Sequence, residues 1–307
     1  MVNPRDINVV FYHAPCQDGL ASAYVANEYA GDYALTFKLI SFTLGARELA
    51  CSIEELRERV VLFIDCAPSN DQMSALIDAK TRVQILDHHV SNMERVKMFL
   101  ITHTTPLINA HFDMNLSGVG LAWNYFFAPR ELPNAFAMIQ DRDLWRFAIA
   151  QSKEFCAGLA ARCDACGDDN ESMGIITEQL CFPGTFEETT NFGYLLIELN
   201  NTKIAKIATH ATTRVYLYET SPGIVLKVCI INCDRELVSD LGDFITKNYD
   251  YDFAALWQYD TAREKYNISL RSRGEIDVRV ICERFGGGGH KHAAGCSSEK
   301  HPRELFI

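Results

Sequence analysis

The chain has 307 residues, 48% of them hydrophobic and 22% charged, the balance of a folded globular protein rather than a mainly disordered one. Lys plus Arg total 29 against 40 Asp plus Glu, a net charge of −11. So acidic a chain is a poor match for long duplex DNA, whose affinity comes mostly from neutralised phosphates. No apolar run approaches the roughly 20 residues that span a bilayer. The stretch Met1-Val2-Asn3-Pro4-Arg5-Asp6 lacks the charged and then apolar regions of a secretory signal. The expectation is a cytoplasmic protein with no membrane partner. Eleven cysteines are an odd number in a chain too long to need disulfide staples, so they read as reduced thiols.

In chain order, the first half alternates short apolar runs with amphipathic segments, the pattern of a parallel sheet with crossover helices. Residues 7–12 read as a strand and 19–29 as a helix. Val60-Val61-Leu62-Phe63-Ile64 is a nearly continuous apolar run, as expected of a strand buried on both faces. A helix capped at Asn70-Asp71 runs to about residue 79, a third strand covers 83–86, and 117–127 reads as a helix. The run 135–140, helix or strand, leads into Asp141 and Asp143. From 151 to 190, Cys156, Cys163, Cys166 and the polar Gly167-Asp168-Asp169-Asn170 turn predict irregular structure. A helix over 192–211 follows, then strand 223–232, helix 234–248, strands 252–259 and 266–272, helix 276–284 and a glycine-rich loop. The fold class is α/β, with a mainly parallel sheet in the N-terminal domain, a helical linker, and a smaller C-terminal α/β domain. The divisions fall at 1–190, 191–213 and 214–307.

The ligand-type residues fall at strand ends. Strand 7–12 is followed by His13 and then Asp18-Gly19, strand 60–64 by Asp65, and strand 83–86 by Asp87-His88-His89. Parallel strands release their C-terminal ends along one edge, where ligands bind, so these groups converge on a common crevice. Carboxylates with a few imidazoles suit Mn²⁺- or Mg²⁺-like ions, or zinc. Two such ions would activate a water and clamp a phosphoryl group, and cations would relieve the repulsion among crowded carboxylates. A lone Asp after a strand is ordinarily a turn former or helix cap. Three successive strands ending in acidic or imidazole groups are a far less common coincidence.

Two motifs extend this reading. Ile85-Leu86-Asp87-His88-His89-Val90 resembles the signature of the DHH phosphoesterases, and Phe285-Gly286-Gly287-Gly288-Gly289-His290-Lys291-His292-Ala293-Ala294-Gly295 resembles the glycine-rich motif of the companion DHHA1 domain. The resemblance covers essentially the whole chain. It implies His13, Asp18, Asp65, His88 and Asp141 as metal ligands, with Asp65 bridging. His89 would face the scissile phosphate, and Asp87 would orient an imidazole. Asp143 has the weaker claim, with a helix cap or salt bridge as its other reading. Arg271 and Gly287, Gly288, Gly289 and His290 would hold a phosphate of the substrate, in a cleft between the domains. Many relatives carry two aspartates in the first motif. Here Cys16 stands where the first is expected, and the His-to-Asp spacing is one residue shorter. A thiolate ligand would favour zinc, and an unligated structural Cys16 is the other reading.

The implied activity is hydrolysis of phosphoester bonds of small nucleotides by metal-activated water. Short oligoribonucleotides, dinucleotides and bisphosphorylated nucleosides are the substrate classes. Mn²⁺ is the expected cofactor, two ions in number, with Mg²⁺, Co²⁺ or Zn²⁺ as alternatives. The partners implied are a small nucleotide or short single-stranded RNA, with room for a homodimer. A polyphosphate or pyrophosphate hydrolase is the alternative within this class. A non-catalytic scaffold or nucleotide-binding protein is the alternative outside it. Cys163-Asp164-Ala165-Cys166 is a single C-x-x-C without a second pair at finger spacing.

Overall fold

A computed structural model describes all residues except 44, 45, 47, 212–214, 222 and 307. The end of the expected linker, 212–213, therefore lies outside the described residues. The chain divides into two compact units, Met1–Ile197 and Glu198–Ile307.

The first unit runs β1 (Val9–His13), α1 (Gln17–Asp32), β2 (Lys38–Phe42), α2 (Ile53–Leu56), β3 (Val60–Ile64), α3 (Asn70–Asp78), β4 (Arg82–Asp87), α4 (Val90–Thr102), β5 (Ile108–Phe112), α5 (Gly118–Phe127), α6 (Asn134–Asp143), α7 (Ser152–Asp164), α8 (Asp169–Cys181) and the start of α9 (Pro183–Ala211). The sheet is wholly parallel, in the order β2-β1-β3-β4-β5. Because side chains alternate across a strand, β1 sends Val10 and Tyr12 to one apolar layer and Val9 and Phe11 to the other. β3 does the same with Leu62 and Ile64 against Val61 and Phe63. Both faces are covered, so the central strands read as unbroken apolar runs. The order reverses between β1 and β3, and their C-terminal tips are where such sheets place a ligand.

The α/β fold class expected from the sequence is borne out, with differences in detail. The half-polar edge strands β2 and β5 are additional to the predicted ones. Ser69 rather than Asn70-Asp71 caps α3, in a reciprocal box with Gln72. Residues 151–190 are helical rather than irregular. The polar turn is present, with Asp168 accepting from the N–H groups of Asn170 and Glu171 to start α8, but helices flank it on both sides. Cys163 and Cys166 donate to backbone carbonyls of Ser172 and Arg162, and all eleven cysteines are free.

The second unit contains the rest of α9, then β6 (Tyr216–Ser221), β7 (Ile224–Asn232), α10 (Val238–Asn248), β8 (Phe253–Asp260), β9 (Lys265–Ser272), α11 (Val278–Glu283), β10 (Gly288–His290), β11 (Ala293–Ser298) and α12 (Pro302–Leu305). Its sheet has the order β10-β11-β9-β8-β7-β6, with β7 and β8 parallel and the other neighbours antiparallel. One face packs against α10 and Ile204 and Ala208 of α9, the other against α11 and Phe306. The glycine-rich segment is a strand pair, not a loop. Among the described residues, no helix is long and apolar enough to cross a membrane.

Helices α7 and α9 meet at two glycines. A Cβ on Gly158 would run into the Thr189 carbonyl oxygen, and one on Gly193 into the Glu154 carbonyl oxygen. Gly158→Ala gains about 1 kcal/mol of helix propensity but overpacks a backbone contact that cannot yield, at a cost of about 1–3 kcal/mol. The expected outcome is net destabilisation, read as a lower urea midpoint at unchanged slope. A raised midpoint would show that the two helices are not in backbone contact.

Candidate metal centre

Asp65 lies at the centre of the site. It follows β3 in a left-handed backbone conformation, φ 60°, and is almost wholly buried. Its Oδ2 pairs with His13 Nδ1 at 3.1 Å, and its Oδ1 pairs with His88 Nε2 at 3.1 Å. His13 comes from the tip of β1 and His88 from the residue after β4, the strands on either side of β3. Burial alone would raise the Asp65 carboxyl, but the two imidazoles hold it well below the usual carboxylate range. Burial pulls both histidines down, and Asp65 overrides it: His13 is raised, and His88, with Asp143 also near, is pushed up to about 10.

Asp18, in the first turn of α1, is seated on the N-terminus of α5. Its Oδ1 accepts from Ser117 Oγ at 2.6 Å and from the Val119 N–H at 3.1 Å, and its Oδ2 accepts from the Gly118 N–H. The side chain thus does the work of a helix cap from a distant segment. Burial, with the charges of Asp143 and Asp65, pushes the Asp18 carboxyl up to about 8 against these donors and His88. Gly118 is required here, since a Cβ would stand 2.5 Å from Asp65 Cβ and 2.7 Å from Asp18 Oδ2. Gln140 accepts the Ser117 N–H at 3.1 Å and fixes the same corner.

Asp87 is fully buried at the end of β4. Its Oδ1 accepts the His88 and His89 N–H groups at 2.7 and 3.2 Å and meets His89 Nδ1 at 2.7 Å. Its Oδ2 accepts from Asn92 Nδ2 at 2.7 Å. Burial would raise this carboxyl, and the two histidines bring it below its ordinary value. Asp87 therefore orients His89, holding its Nδ1 and turning its Nε2 outward from the pair.

The structure brings His13, Cys16 and Asp65 into one group of donors, Asp65, Asp87, His88 and His89 into another, and Asp18, His88 and Asp143 into a third, the donors in each lying within 4.8 Å of one another. Burial and the charges of Asp65, Asp143 and Asp18 push the Cys16 thiol well above its usual range. Asp141 needs a correction. The resemblance implied it as a ligand, but its carboxylate turns away and accepts from the Ala148 and Ile149 N–H groups at 2.9 and 3.1 Å and from Ser152 Oγ at 2.6 Å. Burial raises the Asp141 carboxyl, and these donors outweigh it and hold it low. Asp143 takes the inward position, with Oδ2 3.5 Å from His88 Nε2 and a side chain 26% exposed. Residues two apart on a helix point about 200° apart, so only one of the pair can face the cluster. The motif alone could not say which. Ser117, Gly118, Gln140 and Asn92 were also not singled out in the sequence; a Ser-Gly pair at a helix start was the available signal.

The segment after α6 is strained. Trp145 and Phe147 have φ of 55° and 51°, a conformation that costs bulky residues about 1–3 kcal/mol each. Hydrogen bonds from the Trp145 N–H to the Arg142 carbonyl and from the Arg146 N–H to the Asp141 carbonyl hold it, as does the Asp141 carboxylate beyond.

In the second unit, Arg271 lays its aliphatic stem against Gly242 of α10. Its guanidinium donates to Ser239 Oγ at 3.0 Å and to the Leu270 carbonyl at 2.9 Å. Gly288, Gly289 and His290 pair with Gly295, Ala294 and Ala293. The glycines serve this close pairing: Gly289 has φ 138°, and a Cβ there would lie 2.6 Å from the Ala293 carbonyl oxygen. Gly287 donates its N–H to the Cys282 carbonyl.

Comparison with known proteins bears on this arrangement. Residues 223–306 match the DHHA1 domain. Over 304 residues the chain is 27% identical to uncharacterized protein R106 of Acanthamoeba polyphaga mimivirus, covering 95% of this chain and 68% of that protein. Over 285 residues it is 24% identical to oligoribonuclease NrnB of Bacillus subtilis (strain 168), covering 83% of this chain and 63% of that protein. The chain thus spans about two thirds of the length of these curated relatives. Among solved structures, exonuclease RecJ bound to manganese aligns over 95% of this chain and 86% of that one, at 14% identity and a TM-score of 0.49. The DHHA1 match and the NrnB similarity bear out the resemblance to the DHH/DHHA1 phosphoesterase family.

Replacing Gly118 by Ala should destabilise the first unit by about 1–3 kcal/mol, because neither Asp65 nor the α5 N-terminus can retreat. Thermal unfolding of the metal-free protein checks this. An unchanged melting temperature would mean that Asp18 and Asp65 do not crowd Gly118.

Proposed function

We propose that this protein is a divalent-metal-dependent phosphoesterase acting on small nucleotides, namely short oligoribonucleotides, dinucleotides or bisphosphorylated nucleosides. The observation that carries the reading is the convergence of Asp65, His13, His88, Asp18 and Asp143 at the tips of β1, β3 and β4. The donor set fits the cofactor: carboxylate oxygens and imidazole nitrogens are ligands for Mn²⁺ or Mg²⁺, and Cys16 adds a position that would bias the site toward zinc. Burial and the neighbouring carboxylates raise the Asp18 and Asp143 carboxyls, and a divalent cation would relieve that crowding. When bound, such ions lower the pKa of a water and draw charge from a phosphoryl oxygen.

The chain's own residues supply the remainder. Asp65, with one oxygen toward each of two histidines, would hold a divalent cation together with them. His89, held through Nδ1 by Asp87, presents Nε2 to a phosphate oxygen or to the leaving group as a proton donor. Arg271 carries a fixed guanidinium that pairs with a terminal phosphate, and His290 on β10 adds a donor. The acidic surface favours a short substrate over long duplex DNA, and the free cysteines accord with a reducing cytoplasm.

Hydrolysis of short RNAs, cyclic and linear dinucleotides and 3′-phosphoadenosine compounds, each with and without Mn²⁺, tests the reading. Metal-dependent release of nucleoside monophosphate supports a phosphodiesterase, and orthophosphate alone from polyphosphate would replace it. Absence of metal-dependent turnover throughout would contradict the proposal. Asp65→Ala should lower kcat by ~10²–10³-fold or more, as expected for loss of a group that organises transition-state charge. Arg271→Ala should mainly raise KM. An Asp65→Ala enzyme near wild-type activity would remove Asp65 from the mechanism.

A further inference from the structure

Building on the phosphoester reading above, we propose that Trp145 and Phe147 form a nucleobase-stacking subsite beside the carboxylate–imidazole cluster, with Arg142 as its cationic backing. Trp145 follows Asp143 by two residues, so their Cα atoms are no more than about 7.6 Å apart. The two rings are 37% and 38% exposed. They meet edge to face, with centroids 4.9 Å apart and planes at 73°. The Arg142 guanidinium lies 4.2 Å from the Trp145 centroid and 5.6 Å from that of Phe147.

The left-handed backbone of Trp145 closes α6 as a Schellman cap, with the Trp145 N–H on the Arg142 carbonyl and the Arg146 N–H on the Asp141 carbonyl; Phe147 has no such role. Bulky aromatic side chains avoid positive φ, and here two of them adopt it at alternate positions while leaving much of their ring surface uncovered. The geometry is over-determined. The Trp145 and Arg146 N–H groups are tied back to α6, Arg146 Nη2 donates to the Asn115 carbonyl at 2.8 Å, and the Asp141 carboxylate grips Ala148, Ile149 and Ser152. Asp141 is thus the positioning residue of the aromatic pair, as Asp87 is of His89. What folding leaves unexplained is that both rings stay more than a third exposed on a segment held this firmly. A phosphoester site with rigid, cation-backed rings at its edge is suited to a substrate whose phosphate carries a flat heteroaromatic group. Stacking accepts any base, because every base offers a π-face.

The test compares 5′-phosphorylated diadenylate with two analogues in which one adenine, at either position, is replaced by hydrogen. Trp145→Ala should lower the preference for the base-bearing substrate, the ratio of kcat/KM values, by roughly 5–150-fold, the equivalent of one lost stack. Trp145→Phe should restore most of it. An equal loss on all three substrates, or none, would overturn the subsite. If the wild type hydrolyses none of them, the subsite is judged by binding, and the phosphoester reading by the wider substrate panel. Adenine ring-proton shifts of adenosine 5′-monophosphate on adding protein should be present with wild type and lost with Trp145→Ala. Their absence in wild type, or persistence in the variant, would refute stacking at Trp145.

Discussion

The buried carboxylate of Asp65 is the constraint on which the rest depends. An unpaired buried ion costs several kcal/mol, and Asp65 avoids that cost only while His13 and His88 reach it from the strands on either side. The backbone is part of the same arrangement: the Asp65 N–H donates to the Leu86 carbonyl at 2.9 Å, extending the β3–β4 ladder into the turn. A slip of one residue in either neighbouring strand would turn its histidine to the other face. Strand register and site geometry therefore specify each other.

Around this centre the charges are placed by helices as much as by strands. Asp18 is moored by the N-terminus of α5, where N–H groups unsatisfied within the helix favour an anion. Asp87 serves as a buried hub for the turn after β4, linking His88, His89 and Asn92. On α6, Asp143 and Asp141 divide two tasks that a single acidic pair in sequence conceals. One carboxylate faces the cluster, and the other fixes the strained segment that follows.

Much of this was legible in the sequence where a residue's environment was uniform. Strands 60–64 and 83–86 lie between two apolar layers, and their composition says so. The Asp-His-His tip and the DHHA1 glycines carried the family resemblance. Edge strands β2 and β5 were missed because half their residues face water, leaving no apolar run to notice. Helices α7 and α8 were missed because cysteines and a polar turn mask their few core residues, Phe155, Leu159, Met173 and Ile176, and α7 meets α9 partly through backbone, at Gly158 and Gly193. The glycine-rich segment read as a loop because nothing local reveals that β11 will pair with it. The choice between Asp141 and Asp143 depends on the rotation of α6, a tertiary quantity.

The most direct test of the central claim is a crystal grown with Mn²⁺ and measured for manganese anomalous scattering. The account predicts anomalous peaks with Asp65 oxygens and nitrogens of His13 or His88 within about 2.5 Å, Asp143 among the ligands, and Asp141 still bound to Ala148, Ile149 and Ser152. Manganese ligated by Asp141 with Asp143 turned away, or no peak at Asp65 at saturating metal, would contradict it.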